Sequence, residues 1–181
     1  MPACSLYCEH CGTQQSHLLN EADFGLLLAA GEVSFPCDKC QEKKIWKLVP
    51  PPGRDPQLRR APGPLRVLLI DDDPATLQIL QLMLRPHRYS VITASSADNA
   101  IHKLQTLDFD VIVSDIRMPE FDGRSLYRFL VIYLPEYAKK VVFLTGDQSE
   151  KTLRFLRECN CPSTFKPIDL EKLEACIQQV S

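Results

Sequence analysis

The chain has 181 residues, of which 45% are hydrophobic, and a formal net charge of −2 at pH 7. Its length supports one well-formed hydrophobic core together with a smaller module. The nearly balanced charge gives no overall attraction to nucleic acid, and the sequence contains no apolar stretch of the length that a membrane span requires.

Two Cys-x-x-Cys pairs lie in the amino-terminal part of the chain, Cys8 with Cys11 and Cys37 with Cys40. Four thiolates in two such pairs are typical of a closed, tetrahedral zinc site with a structural role. A segment of about 45 residues is also near the lower size limit for a stable core, which a bound metal helps to stabilise. We therefore predict that these four cysteines bind zinc.

Other interpretations of the amino-terminal cysteines have less support from the sequence. Cys4 and His10 could each replace one ligand, but Cys4 lies outside the paired spacing and His10 lies within a pair. A redox pair of the thioredoxin type begins a helix after a strand, and neither pair has that setting. Disulfides are not expected, because no apolar signal peptide precedes Cys4.

The residues around the two pairs predict the rest of this module. Apolar runs at residues 33–35 and 45–49 predict a β-hairpin, and residues 20–30 predict a short capped helix. The whole arrangement resembles a zinc ribbon, to which we assign residues 1–49. Residues 50–64 are rich in proline and predict an extended, semi-rigid linker that holds the module apart from the rest of the chain.

Three short apolar runs and a fourth short segment follow the linker, and a polar residue stands directly after each of them. The run at residues 67–70 is followed by Asp71 and Asp72, and the run at residues 111–114 is followed by Asp115. If the runs are parallel strands, their carboxyl ends share one crevice, which is where open α/β sheets bind ligands. Carboxylates crowded there need a cation, and few oxygen ligands with open positions are typical of magnesium.

The other two runs add a hydroxyl group and an ammonium group at the same edge. Residues 141–144 precede Thr145, and residues 162–165 precede Lys166. Amphipathic stretches with helical spacing separate the runs, as at residues 75–84. Alternating strands and helices predict a parallel sheet with right-handed crossovers.

From residue 65 onwards the chain resembles the receiver domain of two-component response regulators. The residues that carry the resemblance lie at or just beyond the ends of the apolar runs; they are Asp71-Asp72, residues 114–119, Asp122-Gly123, Thr145-Gly146 and Lys166-Pro167. The resemblance implies an α/β fold of the flavodoxin-like kind, with a doubly wound, five-stranded parallel sheet, which we assign to residues 65–181. It also implies an activity, since receivers accept a phosphoryl group from a histidine kinase or a phosphotransfer protein.

The resemblance implies a role for each of these residues. Asp115 would be the phosphoryl acceptor, with Lys166 paired to it and Thr145 turning toward the phosphoryl group. The magnesium ligands it implies are carboxylate oxygens of Asp71, Asp72 and Asp115 and the backbone carbonyl oxygen of Arg117. We therefore expect a regulator rather than an enzyme, with at most self-phosphorylation by small acyl phosphates and hydrolysis of its own acyl phosphate.

One position departs from the commonest receiver pattern. Many receivers have tyrosine or phenylalanine three residues before the lysine, where this chain has Ser163, and the aromatic residue here is Phe165. On a regular strand, positions two apart share a face, so Phe165 would lie on the side of Ser163. The sequence leaves open whether an aromatic side chain responds to phosphorylation.

Two other classes of protein share part of this pattern. Phosphatases of the haloacid dehalogenase type form an aspartyl phosphate at a strand that ends in Asp-x-Asp, which Asp71 and Asp73 match, but Asp115 would then have no role. A nucleic-acid-binding zinc-ribbon adaptor with an inert receiver is the second alternative. Acidic residues balance the basic ones in the amino-terminal module, so we favour protein contact over nucleic acid.

The sequence also gives expectations for output and location. No output domain is expected after the last predicted helix at residues 169–180, which leaves the amino-terminal module as the candidate effector. We expect a cytoplasmic bacterial protein of a phosphorelay, with magnesium and zinc as its metals, an unidentified downstream protein target and no membrane contact.

Overall fold

The computed structural model describes residues 3–20, 22–23, 26–27, 32–48, 63–87, 89–119 and 122–181. These residues form a four-stranded antiparallel sheet followed by a five-stranded parallel sheet. Most of the predicted helix at residues 20–30 and of the predicted linker at residues 50–64 lies outside the described residues. Within the described ranges, every helix is too short or too polar to cross a lipid bilayer.

The amino-terminal sheet has the strand order β2-β1-β4-β3. Its strands are β1 (Ala3–Cys8), β2 (Gln14–Leu18), β3 (Glu32–Pro36) and β4 (Lys43–Leu48). The predicted hairpin is confirmed as β3 and β4, and β1 with β2 forms a second hairpin. Trp46 is fully buried and donates a hydrogen bond from Nε1 to the Phe35 carbonyl oxygen at 3.2 Å. The His17 ring stacks on Phe35, so this histidine is part of the small core.

The parallel sheet confirms the predicted doubly wound, flavodoxin-like fold. Its strands are β5 (Leu65–Ile70), β6 (Tyr89–Ala94), β7 (Val111–Ser114), β8 (Val141–Thr145) and β9 (Ser163–Phe165), in the order β6-β5-β7-β8-β9. The residues of β7 and β8 are buried without exception, as strands covered on both faces require. Strand β6 was not singled out from the sequence, because it lies at the sheet edge and is mostly half-buried.

Helices cover both faces of the parallel sheet. They are α1 (Pro74–Leu84), α2 (Ala97–Thr106), α3 (Gly123–Tyr133), the short α4 (Pro135–Ala138), α5 (Glu150–Cys159) and α6 (Leu170–Val180). Apolar residues of α1 and α6 pack on one face of the sheet, and those of α2, α3 and α5 pack on the other. Asp73 caps α1 by accepting hydrogen bonds from two backbone N–H groups, and Pro74 occupies the first helical position.

The amino-terminal module and the parallel-sheet unit are in contact with each other. Strand β1 contacts helix α2, and the Tyr133 hydroxyl at the end of α3 donates a hydrogen bond to the Leu27 carbonyl oxygen. Buried side chains of both units, including Trp46 and Phe129, belong to one apolar cluster. The expectation that a linker holds the units apart is therefore wrong. A linker sets the largest distance between the two units but does not prevent their contact. Burial of apolar surface of both units favours that contact.

Gly123 allows helix α3 to begin directly against the backbone of Asp115. A Cβ atom added to Gly123 would overlap the carbonyl oxygen of Asp115 and lie 2.9 Å from the Cα atom of Ile116. The Gly123 N–H also donates a hydrogen bond to the Ile116 carbonyl oxygen at 2.9 Å. Helix α3 can therefore lie this close to the end of β7 only because residue 123 is glycine, which has no side chain.

Replacing Gly123 with alanine should destabilise the protein by roughly 1–3 kcal/mol, the usual cost of overpacking a close contact. Helix propensity alone predicts the opposite sign, because alanine favours helix over glycine by about 1 kcal/mol. Urea unfolding followed by circular dichroism measures the difference. Gly146→Ala is the matched control, since a Cβ atom there meets nothing within 4 Å. An unchanged or increased stability of Gly123→Ala would contradict this packing.

Candidate functional site

Three carboxylates meet at the carboxyl edge of the parallel sheet. Asp71 follows β5, Asp115 follows β7, and oxygen atoms of Asp71, Asp72 and Asp115 all lie within 4.8 Å of one another. Only 2% of Asp71 and 6% of Asp115 is exposed, whereas Asp72 faces solvent. The Asp115 N–H donates to the Ile70 carbonyl oxygen at 2.8 Å, which extends the ladder between β5 and β7. The sheet therefore places the predicted acidic residues in one group.

Lys166 joins the two buried carboxylates. Its Nζ donates to Asp115 Oδ2 at 2.6 Å and to Asp71 Oδ2 at 2.8 Å. The Lys166 N–H donates to the Thr145 carbonyl oxygen at 3.0 Å, so the backbone pairing of β9 with β8 fixes where this side chain begins. The resemblance to receiver domains implies that Lys166 pairs with Asp115, and the two side chains are hydrogen-bonded here. The hydrogen bond from Lys166 to Asp71 is an additional contact.

The charges in this group depend on each other. Burial raises the pKa of Asp71, against the hydrogen bonds from Lys166 and from the Asp73 N–H, which lower it. Burial lowers the pKa of Lys166, but its hydrogen bonds to Asp115 and Asp71 outweigh burial and raise it overall. Lys166 is therefore a permanent cation at neutral pH. One ammonium group faces three acidic side chains, which leaves net negative charge for a further cation.

The donor set of the acidic group fits magnesium. Carboxylate oxygens from two buried residues and one exposed residue leave part of a coordination shell open to water, as magnesium sites usually do. The Arg117 N–H donates to Asp115 Oδ1 at 3.0 Å, so the backbone of Arg117 runs close to the Asp115 carboxylate. A cleft of about 370 Å³ opens beside the group, lined in part by Asp72, Arg117 and Asp122.

Thr145 is fully buried at the end of β8. Its Oγ1 accepts a hydrogen bond from the Asp147 N–H at 3.1 Å. In the sheet register Thr145 pairs with Phe165, and Phe143 pairs with Ser163. Strand β9 is regular, with Thr164 buried and its two neighbours half-buried, so Ser163 and Phe165 share a face. The aromatic residue beside Thr145 is therefore Phe165.

Asp147 is a residue that the sequence reasoning missed. It accepts hydrogen bonds from the Thr152 hydroxyl at 2.6 Å and from the Ser149 N–H at 2.9 Å. The Thr152 hydroxyl, more than any other contact, lowers the pKa of Asp147 to about 2. Arg117 Nη1 lies 4.0 Å from its carboxylate. The sequence Asp147-Gln148-Ser149 directly precedes α5 and is typical of the capped amino terminus of a helix, so it could have indicated a structural role for Asp147.

The four predicted zinc ligands also come together. Their sulfur atoms all lie within 4.8 Å of one another, and Cys11 Sγ lies 3.7 Å from Cys37 Sγ. A tetrahedral ion with zinc–sulfur bonds of about 2.3 Å needs sulfur atoms about 3.8 Å apart. All four are free thiols. His10 is exposed and outside this group, and the side chain of Cys4 lies outside the described residues.

The two cysteine pairs share one backbone pattern. In the first pair the Gly12 N–H donates to the Cys8 carbonyl oxygen at 2.8 Å, and in the second the Gln41 N–H donates to the Cys37 carbonyl oxygen at 2.7 Å. Gly12 and Gln41 both have positive φ, 70° and 56°. Each pair therefore occupies the turn of one hairpin, and each turn directs two sulfur atoms to the same point.

The thiols of this group do not have equal acidity. A hydrogen bond with the Thr13 side chain is the main cause that lowers the pKa of Cys11 to about 6. Burial is the main cause that raises the pKa of Cys40 to about 12. Four thiolates at this distance repel each other unless a cation lies between them. Four sulfur atoms within 4.8 Å of one another fit zinc, which binds and deprotonates thiols.

Comparison with known proteins identifies relatives of the parallel-sheet part. The model of the family described as the response regulator receiver domain matches residues 67–178. The two-component response regulator ORR21 of Oryza sativa subsp. indica is 33% identical over 122 residues, which make up 66% of this chain and 17% of that protein. The two-component response regulator ARR11 of Arabidopsis thaliana is 31% identical over 123 residues, or 66% of this chain and 23% of that protein. The chain spans less than a quarter of either relative.

Solved structures agree with the family match. The signal receiver domain of an HD domain-containing protein from Pseudomonas fluorescens Pf-5 is 27% identical with a TM-score of 0.60, covering 66% of this chain and 94% of that one. The chemotaxis response regulator CheY4 of Vibrio cholerae is 27% identical with a TM-score of 0.58. The match covers 65% of this chain and 99% of that one. The curated relatives above are plant proteins, so a bacterial source stays a prediction.

The hydrogen bonds of Asp147 should stabilise the protein in a pH-dependent way. Because its pKa falls from 3.8 to about 2 on folding, the stabilisation is present above pH 3.8 and is lost as the pH falls toward 2. Thr152→Val removes the main donor, so we expect a higher Asp147 pKa and a smaller loss of stability in this range. An NMR titration of the Asp147 carboxyl carbon measures the shift. An equal pKa in both proteins would contradict the assignment.

Proposed function

Because this chain belongs to the response regulator receiver domain family, we propose that it is a phosphorylation-dependent signalling protein of a two-component phosphorelay. Its phosphoryl donor is a histidine kinase or a phosphotransfer protein, and its acceptor is Asp115. The observation that carries the proposal is the pair of hydrogen bonds from Lys166 Nζ to Asp115 and Asp71. A lysine in this position stabilises the negative charge of the acceptor carboxylate. After transfer it can form an ion pair with the oxygen atoms of the phosphoryl group.

Phosphoryl transfer in this site needs positioning more than covalent chemistry. A carboxylate oxygen of Asp115 attacks phosphorus, a phosphorus–oxygen bond forms, and the bond from phosphorus to the donor atom breaks. The Arg117 N–H holds Asp115 Oδ1 at 3.0 Å and Lys166 holds Oδ2 at 2.6 Å, so the carboxylate has a fixed orientation. After transfer, Lys166 pairs with oxygen atoms of the phosphoryl group.

We assign the magnesium site to the acidic group. Asp71, Asp72, Asp115 and the backbone carbonyl oxygen of Arg117 would hold the ion. When bound, magnesium neutralises negative charge on the phosphoryl oxygens. The receiver occupies residues 65–181, after a linker at residues 50–64.

Thr145 connects the modified acceptor to the surface. A shift of its hydroxyl toward a phosphoryl group on Asp115 gives up the hydrogen bond from the Asp147 N–H. Asp147 in turn holds the start of α5 through Ser149 and Thr152. This chain of contacts supports a change at the amino end of α5 as the readout of phosphorylation.

The two alternative functions receive less support. In a phosphatase of the haloacid dehalogenase type Asp73 would work beside Asp71, but the Asp73 carboxylate is bound to backbone N–H groups of α1. In an adaptor with an inert receiver, at least one member of the acidic group or its lysine is usually missing. All of them are present here and lie close together.

We further propose that residues 1–49 form a zinc-ribbon-like module that passes the signal on by contact with a protein. The four clustered thiols support a structural zinc ion. The contact of the module with α2 and with the end of α3 supports communication between the module and the receiver. Basic side chains of the module form ion pairs with neighbouring acids, as Lys47 does with Glu9, which favours a protein partner over nucleic acid.

Incubation with acetyl phosphate and magnesium should add one phosphoryl group to the chain. We expect Asp115→Asn to lose this modification, because no carboxylate is left at the acceptor position, and chelation of magnesium to slow it by at least roughly tenfold. Intact-protein mass spectrometry measures the modification.

Asp73→Asn is the matched control for this experiment. Asparagine caps helices as well as aspartate does, and Asp73 lies outside the acidic group, so this variant should be modified normally. Modification that persists in Asp115→Asn would refute the acceptor assignment. Modification of Asp71 with rapid turnover would instead support the phosphatase alternative.

Removal of zinc should unfold the amino-terminal module, because structural zinc contributes on the order of 10 kcal/mol to small modules of this kind. Trp46 is the single tryptophan of the chain and is fully buried in this module, so its fluorescence reports the change. Elemental analysis should find one zinc ion per chain in the wild type and less in Cys37→Ser, with Cys176→Ser as control. Metal-free protein with unchanged Trp46 emission would contradict the proposal.

A further inference from the structure

Cys159 and Cys161 lie at the end of α5, outside both metal sites, with only Asn160 between them. Asn160 ends the helix in the left-handed conformation, with φ 52° and ψ 29°. A helical conformation of either hand at the middle residue places the flanking Cα atoms about 5.5 Å apart. This separation lies within the range found for disulfide-bonded cysteines.

The two thiols line a cleft of about 370 Å³. Tyr127 and Val131 of α3 form part of its wall, and Lys139 lies at the same cleft. Both cysteines are half-buried free thiols. Cys161 Sγ lies 3.7 Å from the Cys159 carbonyl oxygen, to which the Tyr127 hydroxyl also donates a hydrogen bond at 3.4 Å. A small molecule in the cleft therefore has access to both residues.

The two thiols differ in acidity. A hydrogen bond from the Cys161 side chain, opposed by burial, lowers the pKa of Cys159 to about 7. The contact with Cys159, together with burial, raises the pKa of Cys161. Cys159 is thus the more acidic of the two thiols, and the thiolate is the nucleophilic form of a cysteine.

We propose that Cys159 and Cys161 are a reversible oxidation site, at which a hydroperoxide converts the two thiols into an intramolecular disulfide. Cys159 is the thiol that reacts with the peroxide, and Cys161 resolves the product. The proposal is independent of phosphorylation at Asp115.

The reaction balances with hydrogen peroxide as the oxidant. The Cys159 thiolate attacks one peroxide oxygen, a sulfur–oxygen bond forms, the oxygen–oxygen bond breaks, and hydroxide leaves as water after taking up a proton. The Cys161 sulfur then attacks the Cys159 sulfur of the sulfenic acid, with loss of its proton and release of a second water. The two thiols lose two electrons in total, and the peroxide gains them.

Cys176 is an internal reference for this chemistry. It is half-buried in α6, against the other face of the sheet, and burial raises its pKa. At neutral pH Cys159 should react roughly tenfold faster than Cys176, because a larger thiolate fraction outweighs the lower nucleophilicity of a more acidic thiol.

The experiment treats the full-length, zinc-loaded chain with hydrogen peroxide, alkylates the remaining thiols and digests the protein with trypsin. Cleavage after Arg157 and Lys172 puts Cys159 and Cys161 in one peptide and Cys176 in the next. We expect the first peptide to lose two hydrogen atoms and to escape alkylation, in a way that dithiothreitol reverses. The second peptide should be alkylated at Cys176.

Two variants separate the roles of the thiols. In Cys161→Ser, Cys159 should stop at the sulfenic acid, which dimedone traps, and in Cys159→Ser, Cys161 should react as slowly as Cys176. Alkylation of Cys159 and Cys161 in the treated wild type to the same extent as Cys176 would overturn the proposal. Fast sulfenic acid formation at Cys161 in Cys159→Ser would overturn the assignment of the reacting thiol.

Discussion

The Lys166 ammonium group between two buried carboxylates is the interaction on which the receiver site depends. Asp71 and Asp115 end adjacent strands, and each carboxylate held in the interior without a counter-charge costs several kcal/mol. Lys166 reaches them from β9, two strands away from β7 in the sheet order. The order of the strands is therefore what allows an ion pair between residues far apart in the sequence.

The amino-terminal module has a related electrostatic problem. Two hairpin turns, formed at Cys8 and Cys37, bring four sulfur atoms to one point, and thiolates so close together need positive charge between them. The receiver has a lysine of its own for this purpose, whereas Lys44, which interacts electrostatically with Cys8 and Cys40, already forms an ion pair with Glu42. In our proposal the stability of the small module depends on zinc, whereas the receiver core is large enough to fold on its apolar residues.

Much of the fold could be predicted because the decisive signals are local. The runs at β5, β7 and β8 are short and largely apolar, and site residues directly follow them or, at β8, end them, so strand and site were predicted together. Strand β6 gave no such signal because its residues are only half-buried. The β1–β2 hairpin was missed because β2 is mostly polar. The hydrogen bond from Tyr133 to Leu27 and the bond from Lys166 to Asp71 join distant positions, which only the folded chain brings together.

The contact between the two units has a kinetic consequence. Because Tyr133 and Leu27 belong to one chain, docking of the module on the receiver is unimolecular, with an effective concentration on the order of millimolar for a short connection. An interface with a dissociation constant well below that concentration is then occupied most of the time, even where separate molecules would dissociate on dilution. Its opening and closing do not depend on how much protein the cell makes. Proteolysis between the units would abolish this advantage and turn docking into an ordinary, dilution-sensitive association.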